Sequence, residues 1–149
     1  MTTAHLAIAQ QVQALLEAGT PVAPAIKLGR AVPMQLASDT AVFVRLVRSP
    51  GKDITANGKG HMAWQTWIGV ECVARASAGQ DAHAAVDALL QDSFARLAVA
   101  SAEDGVLNGL THECEVSWDT AEAETPIATA LLALRVQHLT GPASLVALN

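Results

Sequence analysis

The stretch AEAETPIATALLALRVQHLTG, Ala121 to Gly141, decides the fold. Its centre, ATALLALRV, is rich in Ala and Leu, which favour helices. Yet the chain enters it through an acidic segment interrupted at Pro126 and leaves it as RVQHLTG, which reads extended. With a period of two, Ala128, Ala130, Leu132, Leu134, Val136 and His138 share one face, and Thr129, Leu131, Ala133, Arg135, Gln137 and Leu139 share the other. A helix would scatter Arg135 and Gln137 among Leu131, Leu132, Leu134 and Leu139. The spacing therefore predicts a strand that overrides local propensity. The acidic lead-in becomes the loop of a β-hairpin. Arg135, Gln137 and His138 also stop the apolar run short of the ~18 residues that a membrane helix needs.

The partner strand lies just upstream. LTHECEVSWDT, Leu110 to Thr120, alternates, with Leu110, His112, Cys114, Val116 and Trp118 expected inward and Thr111, Glu113, Glu115 and Ser117 outward. A longer alternation spans HMAWQTWIGVECVARA. Met62, Trp64, Thr66, Ile68, Val70, Cys72 and Ala74 point one way, and Gln65, Trp67, Gly69, Glu71, Val73 and Arg75 the other. A strand of this length is expected to bend, with Gly69 the natural point. TAVFVRLVRS, Thr40 to Ser49, is β-branched and apolar and reads as a further strand. PGKDITANGKG then reads as a long polar loop. The segment from Thr20 to Asp39 carries three prolines, Pro21, Pro24 and Pro33, so it is a loop with room for one short edge strand.

Two segments carry helical spacing. Between Thr3 and Ala18, Leu6, Ala9, Val12 and Leu16 form a stripe flanked by Ile8 and Leu15, with Thr2 or Thr3 as cap and Gly19 and Pro21 as stop. In GQDAHAAVDALLQDSFARLAVAS, Val86, Leu89, Leu90, Phe94 and Leu97 make one face and Asp87, Gln91, Asp92 and Arg96 the other. The order helix, strand, strand, helix, strand, strand predicts an α+β fold. It would be a two-layer sandwich with a mostly antiparallel four- to five-stranded sheet and both helices on one face. The 149 residues suit one domain. The tail GPASLVALN, residues 141–149, is expected to pack on a neighbour or to fray.

Charge and composition exclude several classes. A net charge of −5 argues against a phosphate-driven nucleic-acid binder, and an RNA-binding sheet would need aromatics beside basic residues. The two cysteines, Cys72 and Cys114, lie far apart outside any CxxC pattern, so a reduced, cytosolic setting with buried thiols is the expectation. The N-terminus lacks the basic and apolar regions of a signal peptide.

Catalytic signatures are missing from the sequence. There is no HExxH and no GxSxG, and NGKG, Asn57 to Gly60, lacks P-loop spacing. His112 and His138 could meet across the last hairpin near Cys114. Glu113, Glu115, Asp119, Glu122 and Glu124 could hold a hard cation. In both cases ordinary hydrogen-bonded or solvated side chains are the simpler reading. The outward sheet face mixes Arg45, Glu71, Arg75, Glu113, Glu115 and Arg135 with Val47, Trp67, Val73, Leu131 and Leu139. Opposite charges there can pair across strands. A face both charged and apolar, uncovered by its own helices, is a candidate subunit interface, with Trp67 as its most informative residue.

Taken together, ALLEAG, AVFVRLV, the long strand with IGVECVA running into DAHAAVDALLQDSFARL, and the closing VSWDTAEAETPIATALLALRVQHLT resemble the tail terminator, or tail completion, group of minor tail proteins of bacteriophages and prophages. The likeness spans Leu6 to Thr140. It implies a non-enzymatic subunit without cofactor that forms a ring, typically a homohexamer, on the head-proximal end of the tail tube. Such a ring ends tube polymerisation and offers a surface to the head–tail connector protein. Its partners would be the tail tube protein and the connector, with genomic DNA passing the lumen without specific binding and no membrane involved. It would reside in the virion tail after assembly in the host cytoplasm. Candidate contact residues are Arg45, Trp67, Glu71, Arg75 and Arg135 on the sheet face, Lys52 and Lys59 in the basic loop, and Asp119, Glu122 and Glu124 in the acidic loop. A head–tail adaptor of the same phage region shares size and fold class. A small metal-dependent hydrolase using His112, His138 and the acidic set is the rival from another class.

Overall fold

The computed structural model describes residues 1–29, 39–54, 60–77, 79–102, 107–121 and 125–148. Along the chain run α1 (Ala4–Glu17), β1 (Ile26–Leu28), β2 (Thr40–Arg48), β3 (Gly51–Asp53), β4 (Met62–Arg75), α2 (Ala82–Ser101), β5 (Cys114–Ala121) and β6 (Ile127–Thr140). The strand order is β1-β2-β4-β6-β5, with β3 on β4 beyond the end of β2. All pairings are antiparallel except β1 with β2. The sheet is thus mixed and six-stranded: besides the four alternating strands it holds β1, the short edge strand expected between Thr20 and Asp39, and β3, which was not expected. Both extra strands are three residues long, too short to leave a periodic signature. One of them, β3, occupies part of the segment expected to be all loop.

The deciding stretch is a strand. Ala128, Ala130, Leu132, Leu134 and Val136 are buried beneath the helices, in the alternation expected. β6 pairs with β4 through fourteen consecutive positions, from Arg75↔Ile127 to Met62↔Thr140. β4 does not break at Gly69. The register shift falls on its other neighbour, β2, between Leu46 and Arg48. Gly69 has a different purpose: a Cβ there would lie 3.0 Å from Val47 Cγ2 and 3.1 Å from Leu131 Cδ1. The absent side chain lets its two cross-strand neighbours lean together.

Both helices cover the same face. Ile8, Ala9, Val12 and Leu16 of α1 and Val86, Leu89 and Leu97 of α2 share one core with Val42, Val44, Ile68, Val70, Leu132 and Leu134. Thr3 Oγ1 caps α1 by accepting from Leu6 N–H at 3.3 Å. The buried ridge of α1 is Ala4, Ile8, Val12 and Leu16, joined by Ala9, whereas Leu6 of the expected stripe is 39% exposed. The four-residue row through Ile8 faces the sheet, and Leu6 lies to its side.

Arg96, expected on the solvated face of α2, is a structural clasp. Its guanidinium donates to the carbonyls of Leu16, Ala18 and Thr20 at 3.2, 2.6 and 2.8 Å. These include orphan acceptors at the C-terminal end of α1. Gly19, at φ 65°, makes the turn that presents them.

Two expectations fail at the far edge and at the tail. Of the set expected inward on the penultimate strand, Leu110 is buried and Val116 half-buried, but His112, Cys114 and Trp118 are exposed. The helix α2 packs over β4 and β6 and leaves β5 overhanging, so the alternation there has no cover. The tail neither frays nor reaches outward over its described residues. Ala147 bridges Thr140, and Leu145 C=O accepts from Ala4 N–H at 2.8 Å.

Leu132→Ala should lower unfolding stability by about 2–5 kcal/mol, the cost of a cavity in a fully buried site. Leu139→Ala, on the opposite face and 44% exposed, should cost under about 1 kcal/mol. Urea unfolding of both variants checks the face assignment; equal losses would contradict it. Arg96→Ala should cost about 1–2 kcal/mol by releasing the α1 carbonyls, with Arg96→Lys restoring only part because one ammonium cannot span all three acceptors.

Candidate functional site

The outward face of the sheet is built as a set of cross-strand ties. Arg45 Nε lies 3.7 Å from Glu71 Oε2, joining β2 to β4, and Glu71 is buried. Arg135 pairs with Glu113 and donates to Gln65 Oε1 at 3.3 Å, spanning from β4 across β6 to the start of β5. Trp67, opposite Arg135 in register, is half-buried, with the Arg48 guanidinium 5.1 Å above its ring. The expectation that opposite charges pair across these strands therefore describes this face. Arg75 behaves differently. Its side chain donates to Asp39 Oδ1 at 3.1 Å and its N–H to Asp39 C=O, so it secures the entry to β2.

The remaining candidate residues lie at the two sides of the sheet. Lys52 is exposed on β3, and Asp119 is exposed on β5, where its carboxylate accepts from Thr120 N–H at 2.8 Å. The structure brings Arg45, Trp67, Glu71 and Arg135 together on one face and sets Lys52 and Asp119 on opposite flanks. Lys59, Glu122 and Glu124 fall outside the described residues.

Sequence reasoning missed a polar cluster at the end of the helix-covered face. Thr66 Oγ1, buried, lies 2.7 Å from both Ser49 Oγ and His138 Nε2. The His5 ring, from the first turn of α1, meets His138 and Trp64 edge-on at centroid distances of 4.8 and 5.0 Å. Trp64 Nε1 donates to Thr140 Oγ1 at 2.9 Å. The alternation does place Trp64, Thr66 and His138 on one face. What it lacks is any signal for His5, which arrives on a separate element.

An open groove of ≈ 420 Å³ borders this cluster, lined by Lys52, Trp64, Gln65, Gln137, His138 and neighbours. A Cβ on Gly51 would run into the Trp64 ring, so the indole lies directly on the β3 backbone. Burial, with the nearby His5 second, pushes the His138 pKa down to about 4, and burial lowers that of His5. His138 Nδ1 is buried without a hydrogen-bond partner among the described residues, so a proton there would be poorly solvated.

The expected meeting of His112 and His138 does not occur. His138 turns to Thr66 and His5, while His112 lies before β5, against Gly109. Among the described residues no group of three His, Cys, Asp or Glu could hold a metal ion. Cys72 is buried beside Ser93 at 3.8 Å, and burial raises its thiol pKa to about 11, which leaves it unreactive at neutral pH. Cys114, expected to be buried, is exposed. Among the described residues no helix is long and apolar enough to cross a membrane.

The histidine cluster has a pH signature. The folded state holds His138 neutral down to about pH 4, whereas the unfolded chain takes up the proton near 6.5. Its contribution is therefore present above pH 6.5 and is lost as pH falls from there toward 4. Thermal melts at pH 7.5 and 5 should show the wild type losing more stability than His138→Gln. An equal loss in both would remove His138 as a source of the dependence.

Comparison with known proteins finds likeness among solved structures. No protein-family model matches the chain, and no curated protein matches it. Among solved structures, a chain of a structure described as the virion of the native gene transfer agent particle aligns with a TM-score of 0.43 and 15% identity, covering 91% of this chain and 99% of that one.

Proposed function

We propose that the protein is a structural subunit of a phage-like particle, a tail terminator that closes into a ring on the tail tube and presents a surface to the head connector. The observation that carries this reading is that both helices cover the same face of the sheet. On the other face Ala41, Phe43 and Val73 form a small second buried cluster at one end, and beyond it Val47 and Leu139 stand exposed with the half-buried Trp67 among charges tied strand to strand. Such a face is stiffened by its own ion pairs and still offers apolar area to a neighbour. The sequence resemblance from Leu6 to Thr140 supplies the particle class. A structural role fits Arg45, Glu71, Glu113 and Arg135, whose charges pair across the strands. The groove beside Trp64 is open and shallow rather than enclosed. Closed rings require heterologous contacts, one patch meeting a different patch on the next copy.

The experiment is solution mass with negative-stain imaging, followed by addition of the purified protein to polymerising tail tubes. Rings of about six subunits that shorten and cap the tubes support the reading. A protein that binds only the portal side of the connector and leaves tube length unchanged would replace it with the adaptor role. A Trp67→Ala variant, altered at the centre of the exposed face, is expected to cap tubes at least tenfold less efficiently than wild type.

A further inference from the structure

We infer that copies of this chain join edge to edge, with β5 of one subunit set against the β1–β3 flank of the next, and that opposite charge on those two edges selects this pairing. The inference rests on the ring reading above and names the surfaces it would use.

The two edges of the sheet differ in form. β5 is the terminal strand, eight residues long and exposed along nearly its whole length. Arg135 N–H donates to Glu113 C=O, so in the antiparallel ladder residues 113, 115, 117 and 119 turn their backbone groups toward β6. Cys114, Val116, Trp118 and Thr120 then turn theirs outward. Asp119 takes up the Thr120 N–H, while the stretch from Cys114 to Trp118 holds no proline or lysine to blunt it. Trp118 stands 62% exposed on the helix side. An open groove of ≈ 240 Å³ between α2 and β5 is lined by Asp87, Leu90, Gln91, Phe94, Val116 and Leu132. An exposed edge beside a partly apolar groove, carrying an unshielded indole, is built to be covered. Among the described residues the opposite edge is short. β1 has three residues, and its Ile26 carbonyl already accepts from Gln13 Nε2 at 3.3 Å.

The charges differ in sign. From Leu97 to Leu134 the chain contains no lysine or arginine, and β5 carries Glu115 and Asp119, both exposed. The other flank carries Lys27 on β1, Arg45 and Arg48 on β2 and Lys52 and Asp53 on β3; with Arg45 offset by its partner Glu71 it remains net basic, and reversing the two lysines makes it net acidic. Two β5 edges brought together about a two-fold axis would oppose like carboxylates, which is destabilising. A β5 edge against a basic flank is attractive. The same molecule carries both edges on opposite sides of one sheet, so the contact is head-to-tail and can close.

The test uses two charge-reversed chains. Glu115→Lys with Asp119→Lys leaves both edges basic, and Lys27→Glu with Lys52→Glu leaves both acidic. Each variant alone should assemble at least tenfold more weakly than wild type, read by analytical ultracentrifugation, with circular dichroism confirming the fold. An equimolar mixture should regain the wild-type mass, because each altered edge then meets its complement. Wild-type assembly by either variant alone, a mixture that stays monomeric, or a monomeric wild type would each overturn the inference.

A second measurement avoids the charge changes. Cys114 is an exposed thiol on β5, and Leu28→Cys places another on β1. A short bismaleimide should link the Leu28→Cys chain into a ladder running past the dimer; dimers alone would overturn the edge assignment. Failure of the two readings can be told apart. Complementing mixtures that leave tube length unchanged retain the edge contact and remove the terminator role. Charge-reversed chains that cap tubes as well as wild type do the reverse.

Discussion

The structure depends on the pairing of β4 with β6. Fourteen consecutive residues of each strand hold one register without a bulge, so the side chains of both strands are committed to faces together. A one-residue slip would send Leu132, Leu134 and Val136 outward and bring Arg135 and Gln137 under the helices. The hydrophobic term alone forbids that, since each buried aliphatic side chain contributes roughly 1.5–3 kcal/mol. The two helices then have only one surface to cover. Their own apolar stripes, Ile8, Val12 and Leu16 on one and Val86, Leu89 and Leu97 on the other, meet the same aliphatic rows.

Because one face takes all the helical cover, the other is organised by different physics. At one end of it Ala41, Phe43 and Val73 form a small buried apolar cluster, and the rest is tied laterally by charge. Arg45 with Glu71 and Arg135 with Glu113 link neighbouring strands, and Arg48 rests over Trp67. Exposed ion pairs contribute little to stability individually. Here they link the strands laterally, with Val47 and Leu139 exposed beside them and Trp67 half-buried beneath Arg48. The buried histidine cluster does the complementary task at the sheet end. It ties the first turn of α1 to β4 and β6 through edge-on ring contacts, and burial lowers the pKa of both histidines.

Most of the framework was legible from residue order. The alternation from Ala128 to His138 outweighed the Ala/Leu propensity, because faces are set by burial and propensity is a weak prior. The long strand, both helices and their common face followed from the same rule. Less of the candidate site was legible. Arg45, Glu71, Trp67 and Arg135 were placed on one face by period alone. Arg75, read as part of that face, instead binds Asp39 across the start of β2. The alternation of LTHECEVSWDT misled, because a periodic pattern states which side chains agree with one another and not whether anything covers them.

The amino-acid order by itself determined the periodicities, and through them the strand identity of Ala128 to His138, the two-layer architecture and the sidedness of the charges. These are local properties, carried by side chains at fixed spacing on one backbone. The tertiary structure alone decided how far α2 reaches across the sheet, and so left β5 and Trp118 exposed while Leu132 and Leu134 were enclosed. It also brought His5 to His138, turned Arg96 onto the end of α1 and folded Leu145 back to Ala4. Those contacts join residues distant in sequence, and their existence depends on where whole elements come to rest, which no local pattern encodes.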